Sequence, residues 1–204
     1  MRKRSSGFTL IELLTVIVLL LLFSMFLAKL NFSSSESGQV LKLAAKTLAE
    51  SLDSVRSQAI ANNTDACMLI DTGSSYKFRR LILCRKDIAS NWIPKHIMFL
   101  PEKFFVLPQS TLSEYLNEDL SESPYVEEEF IINGNSVSGY SFVFNNRGKL
   151  CNLARNTALI AVANGTKDGD DILFDNNSNP IGIFILPQGR QIILESKNAM
   201  KEVL

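Results

Sequence analysis

Glu12 is the one charged residue between Phe8 and Ala28, a run of 21 residues otherwise made of Leu, Ile, Val, Phe, Met, Ala, Thr and Ser. A carboxylate buried in an apolar helix costs several kcal/mol, by order of magnitude, unless it is protonated or paired. The chemistry open to Glu12 is therefore charge pairing, with a cation supplied from beyond its own helix. Other candidate groups are sparse. His96, the single histidine, lies between Lys95 and Ile97 with no G-x-S-x-G or similar nucleophile motif to serve, and reads as a strand or loop residue. Asp168-Gly169-Asp170-Asp171, with Asp175, Asn176 and Asn177, offers the oxygen ligands calcium takes, but not at EF-hand spacing. It reads as a solvated turn, with calcium as the alternative. Cys67, Cys84 and Cys151 are odd in number, so an oxidising compartment allows at most one internal disulfide and leaves one thiol. Cys67 with Cys84 is the pair nearest in sequence, three buried thiols are the other option, and the spacing fits no zinc pattern. No catalytic, cofactor or metal site is expected.

The element that positions Glu12 is the apolar run itself. At about 1.5 Å per helical residue it reaches roughly the hydrocarbon thickness of a bilayer. Arg2, Lys3 and Arg4 precede it, and the positive-inside rule keeps that end cytoplasmic and sends the rest across. A cleaved secretory signal needs small residues at −3 and −1, whereas Phe26-Leu27-Ala28 puts Phe at −3. An ordinary signal anchor explains the length but neither Gly7-Phe8 nor Glu12, and a buried helix of this length in a water-soluble core would have a polar face.

The basic leader, Gly7, and Phe8-Thr9-Leu10-Ile11-Glu12-Leu13-Leu14 resemble the processing signal of type IV pilins and type II secretion pseudopilins. The resemblance covers about 25 residues and implies that a prepilin peptidase cuts between Gly7 and Phe8 and methylates the new N-terminal Phe8. It also implies that Glu12, fifth in the mature chain, pairs with a neighbouring subunit's N-terminal amine during assembly. Two opposite charges then satisfy each other where one alone does not.

Beyond the membrane run the chain has about 170 residues, enough for one domain with its own core. Lys plus Arg equals Asp plus Glu at 21 each, and three of the bases lie in the leader, so the mature chain is slightly acidic and offers no general nucleic-acid surface. Ser33-x-x-Glu36 reads as a capping box. Leu41, Ala44, Leu48, Leu52, Val55 and Ala59 then recur at spacings of three and four, with Lys42, Lys46, Glu50, Asp53 and Ser57 elsewhere on the wheel, which predicts an amphipathic helix ended by Asn62-Asn63-Thr64-Asp65. From Ala66 the period changes to short apolar runs between turns. Residues 66–70 and 76–84 flank the turn 71–75; strands are also expected at 97–100, 104–107, 126–132, 140–144, 157–163, 183–186 and 191–194. One helix followed by many short strands predicts an α+β fold, a long N-terminal helix packed on a mainly antiparallel sheet. The expected organisation is a leader at 1–7, a transmembrane helix at 8–30, an amphipathic helix at 31–64 and a periplasmic β-rich domain at 65–204.

That order of elements is similar to the H-type minor pseudopilins and the FimT-like minor pilins, and the turns at 144–149 and 186–190 resemble the late Gly-basic turns of their domains. The resemblance implies a subunit assembled into the tip or initiation complex of a type II secretion or type IV pilus system. Its partners would be prepilin peptidase, other major and minor pilins or pseudopilins, and an inner-membrane assembly platform. A pilus-tip subunit for DNA uptake or adhesion is the alternative, favoured by clustered basic or aromatic residues on the folded domain; Lys197 and Lys201 alone are too few for a DNA-binding tail. An anchored enzyme would need a pocket of convergent titratable groups. Residues 110–129 hold Glu114, Glu118, Asp119, Glu122, Glu127, Glu128 and Glu129 with no Lys or Arg, and read as a solvated loop or as a contact surface for a basic partner.

Overall fold

A computed structural model describes residues 11, 13–21 and 35–204, apart from 74–75, 121–124, 133, 154–155, 170 and 176–178. The chain divides into two units, Met1–Gln39 and Val40–Leu204. In the first, residues 13–21 are helical and their apolar side chains are exposed. The Thr15 hydroxyl donates to the Ile11 carbonyl at 2.7 Å, so a polar group on an apolar helix is satisfied within that helix. Much of the expected span at 8–30 lies outside the described residues. Among those described, no helix is long and apolar enough to cross a membrane.

The elements in chain order are α1 (Ser35–Ala61), β1 (Ala66–Asp71), β2 (Arg80–Lys86), β3 (Trp92–Phe99), β4 (Phe104–Val106), α2 (Gln109–Leu116), β5 (Val126–Ile132), β6 (Asn135–Phe144), β7 (Ala158–Asp168), β8 (Asp171–Phe174), β9 (Ile181–Ile185), β10 (Gln191–Leu194) and α3 (Lys197–Lys201). The fold is α+β. From Leu41 onward the stripe predicted for α1 is the buried one: Leu41, Ala44, Leu48, Leu52, Val55 and Ala59 are buried, while Lys42, Lys46, Glu50, Asp53 and Ser57 are exposed or half-exposed. The helix stops where Asn63 takes a left-handed conformation (φ 51°) and the Thr64 N–H bonds back to the Ala59 carbonyl, a helix end for which Asn is suited.

The strands form two antiparallel sheets, β3-β2-β1-β6-β5 and β10-β9-β7-β4, with β8 paired to β7. The apolar stripe of α1 shares one core with Met68, Ile70, Phe142 and Phe144 of the first sheet and Ile160, Val162, Ile183 and Ile185 of the second. Each sheet also buries its other face. Leu112 and Leu116 of α2, with Met200 of α3, cover Leu159, Ala161 and Ala163 of the second sheet. The first sheet curls until its two edge strands come close without pairing, the Trp92 and Phe130 rings lying 5.8 Å apart, and so encloses Cys67, Leu69, Ile82, Cys84 and Val143. Strand β1 is consequently buried at all six positions, and no alternation of polar and apolar residues marks it.

Three expectations change. Residues 76–79, expected within a strand, are a turn: Phe78 is left-handed (φ 59°), its N–H bonds to the Asp71 carbonyl at 2.6 Å, and its carbonyl accepts from Val106 N–H at 2.8 Å. This turn lets the first sheet brace β4 of the second, and the buried Asp71 holds Arg80 at 2.6 Å where β2 begins. The acidic segment 110–129 is not a loop. It contains most of α2, whose Leu112 and Leu116 are fully buried, and the start of β5; Glu114, Glu127 and Glu129 take exposed positions, while Glu128 is half-buried on the face of β5 that carries Phe130 and Ile132. The expected strand at 97–100 begins earlier, at Trp92, because Pro94 sits on an edge strand with a register shift opposite Leu83 and Cys84, where a missing N–H is tolerated. Strand β8 and helix α3 are additions to the expected set.

Candidate functional site

Gly7, Phe8 and Glu12 lie outside the described residues; of their segment the structure describes Ile11 and residues 13–21. The other candidates are all placed in the second unit.

The last turns of α1 carry the point at which both sheets are tied to the helix. The turn after β6, Asn145-Asn146-Arg147-Gly148, is built by the Asn145 side chain, which accepts from the N–H groups of Arg147 and Lys149 at 3.0 Å each. The turn between β9 and β10, Leu186-Pro187-Gln188-Gly189, closes through the Gly189 N–H on the Leu186 carbonyl at 2.8 Å. Gly148 (φ 71°) and Gly189 (φ 77°) both take the left-handed conformation that glycine adopts without steric cost. Arg56 Nε donates to the Gly148 carbonyl at 3.3 Å and to the Gln188 carbonyl at 3.2 Å. Asn146 Nδ2 reaches Asn63 Oδ1 at 3.0 Å. The two Gly-basic turns singled out in the sequence are thus neighbours, and they leave Arg147, Lys149 and Arg190 exposed.

The cysteines separate into a pair and a singleton. Cys67 and Cys84 face each other in register across β1 and β2, both fully buried. Burial pushes the Cys67 thiol up, followed by its hydrogen bond with Cys84; the same hydrogen bond lowers Cys84. Cys151 is exposed, and its Sγ bonds the Val143 carbonyl at 3.4 Å. All three are free thiols.

His96 is exposed on edge strand β3. Asp168 and Asp171 are partners at the end of the β7–β8 hairpin and both are exposed; among the described residues no group of three or more His, Cys, Asp or Glu converges on a metal position. In the acidic segment, Glu127 accepts from the Thr72 hydroxyl at 2.8 Å and Glu129 accepts from the Ser136 hydroxyl, so both carboxylates help fix β5 to its neighbours. Glu118 is bridged by Lys201 at 2.9 Å, which ties α3 to the chain after α2.

A groove of about 790 Å³ runs between α1 and the free edge of β10. The charges on its helical wall are matched along the helix itself, Lys46 with Glu50 and Arg56 with Asp53, each at 3.6 Å, and the exposed Arg190 lines it from the other side. A second cavity, about 320 Å³, is bounded by Gln109, Leu120, Tyr125, Leu159 and Phe184. Tyr125 donates to the Leu159 carbonyl at 2.5 Å and stacks edge-on against Tyr140 and Phe142; burial, then the neighbouring Tyr140, raises its pKa well above the ordinary tyrosine value. Arg56, Asp71 and Tyr125 went unnoticed in the sequence. Arg56 reads there as one more polar residue of an amphipathic helix, and the available signal was that two N-x-x-G and P-x-G turns, each followed by a base, both need a donor.

Residues 2–28 match the prokaryotic N-terminal methylation motif. Among curated proteins no sequence relative matches. Among solved structures the chain is similar to the minor pseudopilin EpsH from the type 2 secretion system of Vibrio cholerae, at 12% identity over 76% of this chain and 95% of that one, with a TM-score of 0.45. It is also similar to the type IV minor pilin FimU of Pseudomonas aeruginosa, at 15% identity over 78% of this chain and 90% of that one, with the same TM-score of 0.45. The chain carries at its N-terminus the processing and methylation motif of the type IV pilin and pseudopilin superfamily.

Proposed function

We propose that the chain is a minor pilin or minor pseudopilin of a type IV pilus or type II secretion system, held in the inner membrane by residues 8–30 with its N-terminus cytoplasmic and residues 65–204 periplasmic. Prepilin peptidase cuts between Gly7 and Phe8 and methylates Phe8. Glu12 then meets the N-terminal amine of a neighbouring subunit, and the chain joins other major and minor subunits on the inner-membrane assembly platform.

The observation that carries this reading is the match of residues 2–28 to the methylation motif, because one processing event accounts both for Gly7-Phe8 and for a carboxylate in an apolar run. An amphipathic helix lying over a core shared by two sheets supports it. No catalytic role is assigned to any residue. The deciding measurement is the intact mass of protein extracted from membranes of cells with an active prepilin peptidase: the chain should lack residues 1–7 and carry one added methyl. Retention of Met1–Gly7 overturns the reading.

A DNA-uptake or adhesion subunit is the second reading, favoured by exposed Arg147, Lys149 and Arg190 on two adjoining turns. Retardation of duplex DNA that weakens as salt rises, and that is lost when these three are changed to Gln, would support it.

A further inference from the structure

We propose that Cys67 and Cys84 are joined by a disulfide when the chain folds in an oxidising environment, with Cys151 left as the free thiol. Where this happens in the cell rests on the periplasmic placement proposed above; whether the pair can join does not.

Three observations converge on the pair. First, the register sets Cys67 directly opposite Cys84 in an antiparallel ladder, and such residues have Cα atoms about 4.5–5.5 Å apart, inside the range of about 4.4–6.8 Å that a disulfide spans. Second, residues directly opposed in an antiparallel pair point to the same face of the sheet, and both thiols lie in one buried cluster with Leu69 and Ile82, two residues along each strand on that face. Third, both lie in the core enclosed by the coiled first sheet, where Trp92 and Phe130 close the wall and no exposed surface of either residue remains. A disulfide there is shielded from reductants. Cys151 lies beyond Val143, the residue that flanks Cys67 on the side away from Cys84, and is exposed.

The reaction is exchange with a disulfide oxidant, either a small-molecule disulfide or an oxidised thiol–disulfide protein. The thiolate of one cysteine attacks a sulfur of the oxidant and releases one thiolate. The second cysteine, deprotonated in turn, attacks the mixed disulfide and releases the other. The two protein protons end on the two released thiols, the oxidant is reduced by two electrons, and the pair is oxidised by two. Because the folded core admits no oxidant, the exchange must precede docking of Trp92 on Phe130. The closed loop contains the turn at 76–79 that braces β4, so the bond pins the hairpin on which the contact between the two sheets depends.

The test uses the full-length chain in detergent, unfolded in reductant and refolded with glutathione disulfide. The expected product is two hydrogens lighter than the reduced chain, takes one maleimide instead of three after denaturation, and yields a 67–84 linked peptide. Adding reductant to the unfolded protein before refolding should lower the melting temperature by roughly 5–10 °C. The Cys67→Ala/Cys84→Ala double variant should melt at one temperature with or without reductant, so that loss of packing is separated from loss of the bond. Three maleimides after oxidative refolding, or a link through Cys151, overturns the proposal. Protein taken from cells under alkylating conditions makes the second comparison: three free thiols there, with the 67–84 link formed in vitro, removes the periplasmic placement and leaves the pairing standing.

Discussion

The backbone carbonyl of Gly148 occupies the space that a Cβ on Gly189 would need. These two residues come from turns of different sheets, and Arg56 of α1 bonds to both turns at once. The close approach is therefore a three-way junction in which each part restricts the others.

Gly189→Ala should cost about 2–4 kcal/mol, since a left-handed alanine is strained and its methyl meets a backbone carbonyl that cannot swing away. Gly148→Ala should cost less, about 1–2 kcal/mol, because its methyl meets first the end of the Ile60 side chain, which can move. Arg56→Ala leaves two carbonyls without their donor and should cost about 1–2 kcal/mol. Denaturant titration of the three variants checks the order; equal losses at Gly148 and Gly189 would remove the junction argument.

Glu12→Ala removes a costly group from an apolar segment, so membrane insertion should be unchanged or slightly better. If Glu12 docks as proposed, assembly should nonetheless fail or weaken, because a neighbouring subunit's amine would lose its partner. Complementation of a deletion strain, with membrane levels measured in parallel, separates these two effects. Full function with normal levels would show that Glu12 has no docking role.

Alkaline pH should destabilise the domain through Tyr125. Its pKa is raised by burial and then by Tyr140, so the folded state holds the phenolic proton after the unfolded chain has released it. The stabilisation is complete below the unfolded value of about 10 and is lost above it, at up to about 1.4 kcal/mol per pH unit. Melting temperatures between about pH 8 and 11 should fall steeply above the unfolded value in the wild type and more gently in Tyr125→Phe, which is itself less stable at neutral pH because the Leu159 carbonyl loses its donor. Parallel profiles would assign the alkaline loss to other groups, such as Tyr140, whose pKa is also raised by burial and by Glu127.

Replacing Glu127, Glu128 and Glu129 together with Gln should leave the melting temperature within about 2 °C, since an amide oxygen can still accept from Thr72 and Ser136. If β5 also docks a basic subunit, the same change should weaken that complex, and wild-type binding should fall with added salt. Pull-down of the full chain at low and high salt gives the answer, and salt-independent binding would confine these carboxylates to their role in the sheet.

The helix α1 was legible because its stripe repeats over about five turns, and propensity, spacing and the Asn-rich end agree on it. Strands that alternate or lie beside plain turn residues, such as 140–144 and 191–194, were legible for the same reason. What was not legible depends on tertiary partners. Leu112 and Leu116 form too short a helical stripe to be seen among carboxylates, and they are helical because the face of β7 needs a cover. Residues 76–79 look like a continuation of β2 and are bent out by β4, an element more than twenty residues away. The methylation motif behaves oppositely: it lies in the linear run of residues 2–28 and can be recognised without any fold, whereas Arg56 has a role only once two distant turns have met.

Both edges of the first sheet have a further consequence, for life at high concentration. Strand β3 presents Pro94, Lys95 and His96 beside a register shift, and β5 presents three successive glutamates. An open edge is a template for another strand, and a prolyl nitrogen, a local kink and like charges each spoil that template. Copies held at high concentration would collide edge to edge far more often than dilute ones. Two β5 edges brought together would oppose six carboxylates, three from each copy, and two β3 edges would meet at an irregular ladder lacking a donor. A domain with such edges resists edge-to-edge fibrillisation even where copies crowd together.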